Sequence, residues 1–146
     1  MVNGSRMIAR DVEKPVVERV RIAPGEGGMP TGMLKLADYF GSAVTSCQDL
    51  DGDGVRELVV GAKGDNSAGK SAGAVYMLYL KQGEDEVVTE AVSLSEKERG
   101  VDASLPAHGE FGSSVAEIGS DVEANGADDL VVVAPGFEDH RIYIGS

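Results

Sequence analysis

One segment occurs twice in this chain, and that repetition narrows the folds open to it. Phe40-Gly41-Ser42 and Phe111-Gly112-Ser113 stand 71 residues apart, and the acidic loops opening at Asp49 and Asp121 stand 72 apart. Each loop is followed by a short β-branched run, Leu58-Val59-Val60-Gly61-Ala62 and then Leu130-Val131-Val132-Val133-Ala134. Self-similarity at this period signals stacked units or propeller blades, none of which buries its sheet alone.

The first loop carries the more specific chemistry. Asp49-Leu50-Asp51-Gly52-Asp53-Gly54-Val55-Arg56-Glu57 places carboxylates at positions 1, 3, 5 and 9. A glycine follows the third acid, where a chain wrapping an ion must turn sharply. Hard oxygen donors at alternate positions, with the Val55 carbonyl at position 7, are what Ca²⁺ prefers. The bland alternative is a solvated acidic turn, against which the Asp-x-Asp-x-Asp-Gly spacing weighs. An EF-hand would need a bidentate Glu at position 12 and flanking helices. Position 12 is Val60, and both flanks read as strands. The loop is therefore expected at the tip of a β-hairpin, closed by Glu57.

The second loop repeats the donor spacing with Asp121, Glu123, Asn125, the Ala127 carbonyl and Asp129, and Gly126 again holds position 6. Asn125 lowers its charge and Glu123 has a longer arm, so the first site is expected to bind more tightly. A second reading keeps this loop only for its turn.

Composition fits an all-β chain. The 146 residues are 42% hydrophobic, enough for one core, but 5% aromatic with no Trp, so Val, Leu, Ile and Ala must fill it. Twenty glycines imply many tight turns. A formal net charge of −12 disfavours nucleic acid and anionic membranes as partners. Cys47 is the single cysteine, so no disulfide forms within the chain. No stretch approaches the roughly 20 apolar residues of a membrane span, and residues 1–14 contain no signal-peptide core.

In chain order, residues 1–14 read as a flexible tail and 15–146 as the repeat region. Strands are expected over 16–22, 40–46, 58–62, 74–80, 87–94, 111–115, 129–134 and 141–144. Naming the strands from Phe40, Leu58, Ala74 and Val87 A to D, the chain runs D-A-B-C-D-A-B-C. The first blade repeat spans about 40–94. The second, 111–146, lacks its own outer strand and would be completed by strand 16–22 of the same or another copy. Two blades cannot close a propeller of roughly 4–8. The region is thus an incomplete propeller or one closed by oligomerisation, with a homo-trimer or homo-tetramer as the geometric options.

Other motifs are weaker. Gly64-Asp65-Asn66-Ser67-Ala68-Gly69-Lys70-Ser71 satisfies the bare phosphate-loop pattern, yet a strand follows where that loop must open a helix. His108 and His140 are too few for zinc and read as surface residues. Asp38 and Glu110 precede the two Phe-Gly pairs, and the repeat explains them more simply than a carboxylate pair for glycoside cleavage. No catalytic constellation stands outside the acidic loops, so a non-enzymatic role is expected.

The combination of Phe40-Gly41-Ser42-Ala43-Val44, the loop from Asp49 to Gly54 and Leu58-Val59-Val60-Gly61-Ala62 resembles an FG-GAP repeat. Such repeats form the blades of the integrin α-subunit β-propeller and of many bacterial surface proteins. Lys63 departs from the pattern, which has Pro there, whereas the second repeat ends on Val133-Ala134-Pro135-Gly136. The resemblance implies structural Ca²⁺ in both hairpin loops and a role in adhesion or in recognition of a protein or carbohydrate at the cell surface. It also implies an extracellular setting without membrane insertion of this segment. Two other roles remain open: part of a secreted hydrolase or lyase, and a self-assembling structural module.

Overall fold

The computed structural model describes residues 19–83, 85–95, 105–119, 121–122, 124, 128–136 and 141–145. Seven strands and no helix occur among them. The strands are β1 (Phe40–Ser46), β2 (Leu58–Ala62), β3 (Ala74–Leu80), β4 (Val88–Leu94), β5 (Ser114–Glu117), β6 (Leu130–Ala134) and β7 (Arg141–Gly145). They form two antiparallel meanders, β1-β2-β3-β4 and β5-β6-β7. The first sheet has the expected A-B-C-D order and the second A-B-C.

Buried runs identify the central strands. Val59 to Ala62 and Ala74 to Leu78 are buried without the alternation of a one-sided strand. A strand covered on both faces needs apolar residues at every position. One face of the first sheet, with Val59, Val75 and Met77, packs against Phe111, Val115, Val132 and Ala134 of the second. Its opposite face, with Val60, Ala62, Ala74, Tyr76 and Leu78, is covered by Met29 and flanked by Ile22, Met33 and Leu34.

The repeat visible in sequence is a repeat in space. Val60 pairs with Tyr76, and Val132 pairs with Tyr143. Phe40 meets Tyr76 edge-on at 5.7 Å, and Phe111 meets Tyr143 edge-on at 5.3 Å. Ala37 and Tyr39 have positive φ, as do His108 and Glu110 at the same offset. The sheets therefore stack head to tail: the Phe–Tyr face of the second covers the Val75–Met77 face of the first.

The Phe-Gly pairs kink the chain. Gly41 and Gly112 have φ of +89° and +85°, a region that L side chains rarely adopt. The kink interrupts the β1 register between Phe40 and Ala43. In the second repeat it leaves Phe111 outside the strand, bridged singly to Gly73, so β5 begins at Ser114 rather than at the expected Phe111. Gly112 also lies so close to Ala74 that a Cβ would stand 2.4 Å from its carbonyl oxygen.

The strand expected over 16–22 is not found where it can be checked, and 16–18 lie outside the described residues. Residues 19–22 are not in a strand. They lead instead into a turn closed by the Ala23–Glu26 bridge, whose Gly27 carbonyl accepts one bond from the Val88 N–H. Pro24 cannot donate a ladder hydrogen bond, and Gly25 and Gly27 turn the backbone before a ladder forms. The 64–71 segment is a loop anchored at Asp65, whose buried carboxylate accepts bonds from Ser67 N–H and Tyr76 O–H. No helix follows it, which removes the phosphate-loop reading.

Candidate metal centre

The first acidic loop joins β1 to β2 and folds around its own carboxylates. Asp49 accepts the N–H groups of Gly52 at 2.7 Å and Gly54 at 2.8 Å, one on each oxygen. Asp51 accepts Asp53 N–H at 3.1 Å, and Asp53 accepts Val55 N–H at 2.7 Å. These side-chain turns compete with a β-ladder and curl the chain inward. The Gly54 N–H, followed by that of Gly52, holds the Asp49 carboxyl below the usual carboxylate range, so it is ionised at neutral pH.

Glu57 differs from the other acids in being completely buried. Its carboxylate accepts Leu50 N–H at 3.3 Å and Leu80 N–H at 2.8 Å, tying loop position 2 to the end of β3. Its own carbonyl accepts Cys47 N–H at 2.9 Å. Carboxylate oxygens of Asp49, Asp51 and Glu57 all lie within 4.8 Å of one another. Two of these acids face solvent and the third forms the floor. Like charges gathered this closely repel unless a cation lies among them. The donor set, all hard oxygen, suits Ca²⁺ or Mg²⁺ rather than a thiolate- or imidazole-seeking metal. Asp53 is outside this group of three, and half-buried Val55 stands at the turn back into β2.

The second loop shows the same closing contact. Asp129 is fully buried and accepts the N–H of Val122, the residue equivalent to Leu50. Its Oδ2 makes that bond, while its buried Oδ1 has no hydrogen-bond partner among the described residues. An ionised oxygen buried in that state is costly, and a cation would relieve it. Asp121 is exposed at the loop entrance. Glu123, Asn125 and Ala127 lie outside the described residues.

Two contributors are invisible to the spacing argument. The Leu80 N–H is supplied by a strand 23 residues away. Arg56, at position 8 of the first loop, reaches away from its acidic neighbours to pair with Glu117 at the end of β5. The sign of its charge hints at pairing, but only packing selects the partner. At the other end of β1, Tyr39, Phe40, Gly41, Ser42, Lys63 and Ser113 line an open cleft of about 360 Å³.

Comparison with known proteins agrees with this geometry. Residues 40–78 match the family model described as the FG-GAP repeat. Integrin alpha-PS5 of Drosophila melanogaster is 32% identical over 146 residues, covering 99% of this chain and 12% of the relative. Human integrin alpha-11 is 34% identical over 113 residues, covering 75% of this chain and 9% of the relative. The chain thus spans about a tenth of the length of these two relatives. FG-GAP repeats form β-propeller blades, and the two sheets here are not closed into a ring. The Phe-Gly kink, the acidic hairpin tip and the Gly61-Ala62 strand end form one unit, and residues 40–78 are an FG-GAP repeat, the kind of repeat that forms propeller blades, within an all-β chain.

Proposed function

We propose that this chain is a calcium-binding propeller module for adhesion or for recognition of a protein or carbohydrate ligand at the cell surface, with the ion in a structural role. The convergence of Asp49, Asp51 and Glu57 carries the reading. Asp49, Asp51, Asp53, the Val55 carbonyl and Glu57 would hold one ion. Asp121, Glu123, Asn125, the Ala127 carbonyl and Asp129 would hold the other. The ion neutralises the converged acids and stiffens the hairpin tip, while the chain's own N–H groups orient the carboxylates before it arrives. Ligand contacts fall to the opposite end of β1, where Lys63 stands 5.9 Å over the Tyr39 ring beside the open cleft. The role is non-catalytic.

Thermal melting in calcium and in chelator tests the metal. Sites in extracellular modules bind at about 10⁻⁴–10⁻³ M. Calcium at about ten times Kd would stabilise the fold by about 1.4 kcal/mol, a rise in Tm of roughly 3–6 °C for this size. Asp51→Asn should lose most of that rise. Equal melting temperatures in calcium and chelator would remove the structural ion.

Assembly into a homo-trimer or homo-tetramer that completes a propeller belongs to the same proposal. Ile142 and Ile144 are 62% and 50% exposed, whereas their repeat equivalents Val75 and Met77 are covered by the second sheet. Another blade's Phe–Tyr face fits this surface by the head-to-tail rule seen within the chain. Light scattering should give a mass of three or four chains, and Ile144→Lys should release single chains. A monodisperse, folded monomer of the wild type counts against self-assembly.

A further inference from the structure

We propose that residues 19–34 form a displaceable strap, which competes with a second copy of this chain for the Phe40–Tyr76 face of the first sheet. The inference rests on the self-assembly reading above. In the second repeat the Phe–Tyr face, with Phe111, Val115 and Val132, is covered by the Val75–Met77 face of the first sheet. In the first repeat the same face is covered by Met29, with Ile22, Met33 and Leu34 at its flanks. A strap therefore stands where the repeat puts a blade.

The strap covers this face incompletely. Val44 and Val115 occupy equivalent positions, opposite Val60 and Val132. Val115 is 8% exposed, but Val44 is 60% exposed. Phe40 is half-buried where Phe111 is buried. Ile142 and Ile144, the exposed equivalents of Val75 and Met77, complete the cover when they come from another copy. One docking event thus buries Val44 and both isoleucines.

The strap is held mostly by itself. Its Glu26, Gly25 and Met29 N–H groups bond the carbonyls of Ala23, Met29 and Glu26. Among the described residues two hydrogen bonds tie it to the sheet. Val88 N–H donates to the Gly27 carbonyl at 3.0 Å. Tyr76 O–H reaches the Met33 carbonyl at 3.3 Å, but shares its proton with Asp65 at 2.6 Å. The buried anchor, Met29, is an unbranched side chain of the kind that adapts to changing neighbours. The seam between the two sheets is tighter. There His108, Glu110 and Phe111 donate to the carbonyls of Lys70, Ser71 and Ala72. Gly61 also admits the Gly112 carbonyl so closely that a Cβ would stand 2.0 Å from its oxygen. In the second repeat Val133 replaces Gly61. A seam between copies is therefore looser than the one within the chain, and a lightly tied strap can contest it. A second copy docks only where the strap is open, so its apparent affinity scales with the open fraction.

Hydrogen exchange and light scattering on the whole wild-type chain, over a concentration series, test this. As the mass rises, the Gly25, Met29 and Val88 amides should lose protection, because so short a turn is not stable off the sheet. Gly28→Ala opens the strap without altering the shared face. Gly28 has φ of +88°, and a Cβ there would stand 2.1 Å from the Val88 carbonyl oxygen. A roughly tenfold rise in the open fraction lowers the concentration of half-assembly by about the same factor. Ile144→Lys in the same chain should cancel that gain. Val133→Gly alone should tighten assembly and leave strap protection in the single chain unchanged. A rising mass with Gly25 and Met29 still protected overturns the strap and leaves self-assembly intact, as does a folded Gly28→Ala that assembles no more readily than wild type. A wild type that stays single while Gly28→Ala assembles supports the strap and counts against wild-type self-assembly. Failure of wild type, Gly28→Ala and Val133→Gly alike to assemble overturns both.

Discussion

Phe111→Ala should lower the unfolding free energy by about 3–5 kcal/mol, the usual cost of removing a buried phenyl ring. Phe111 is 2% exposed and stands in the seam between the two sheets with Val59, Val75 and Val132. Its ring packs edge-on against Tyr143 at 5.3 Å, adding an aromatic contribution to the buried area. The backbone beside it cannot collapse inward, because Phe111 is bridged to Gly73 and Gly112 is already against the Ala74 carbonyl. A cavity would therefore persist. Phe40→Ala should cost less, since the equivalent ring in the first repeat is only half-buried. Urea denaturation followed by circular dichroism measures both. If Phe111→Ala cost less than Phe40→Ala, the seam would not be the shared core of the two blades.

Glu57→Gln should abolish the stabilisation that calcium gives through the first loop while changing stability in chelator by only about 1 kcal/mol. The wild-type gain reaches about 2.7 kcal/mol at a calcium concentration a hundredfold above Kd, so the difference is large. Without the ion, the buried Glu57 charge stands within 4.8 Å of carboxylate oxygens on Asp49 and Asp51. A neutral amide relieves that repulsion. It also gives up one acceptor toward the N–H groups of Leu50 and Leu80, a loss of about 1 kcal/mol. The two effects oppose each other in chelator. In calcium they are joined by the loss of an anionic donor at the floor of the site, and the variant falls well below wild type. Melting curves in the two conditions give the answer, and a wild-type calcium response in Glu57→Gln would show that Glu57 does not help hold an ion.

Much of the fold could be read along the chain because its determinants are local. A Phe-Gly kink, a loop of alternating acids and a β-branched run specify a hairpin within about two dozen residues. The structure confirms strands at 40–46, 58–62, 74–80 and 130–134 close to the expected bounds. Expectation failed where a local pattern competed with distant packing. The segment at 19–22 alternates like a strand, but the turn after it is pinned to the start of β4 through Gly27 and Val88. Phe111 looks like the first residue of a strand, but its N–H is taken by the Ala72 carbonyl.

The acidic loops divide in the same way. Donor identity and spacing are properties of nine consecutive residues, so Asp49, Asp51 and Glu57 could be named before any contact was known. Their unequal burial could not, because it depends on the β3 end that supplies Leu80. Nor could the choice of Glu117 by Arg56, residues separated by 61 positions. By itself the sequence determined the hairpins, the repeat and the oxygen chemistry, since each is set by neighbours along the backbone. Only the tertiary structure decided which acid became the floor, which face stayed open and which charge spans the seam, since burial and long-range pairing exist only once the two sheets have packed.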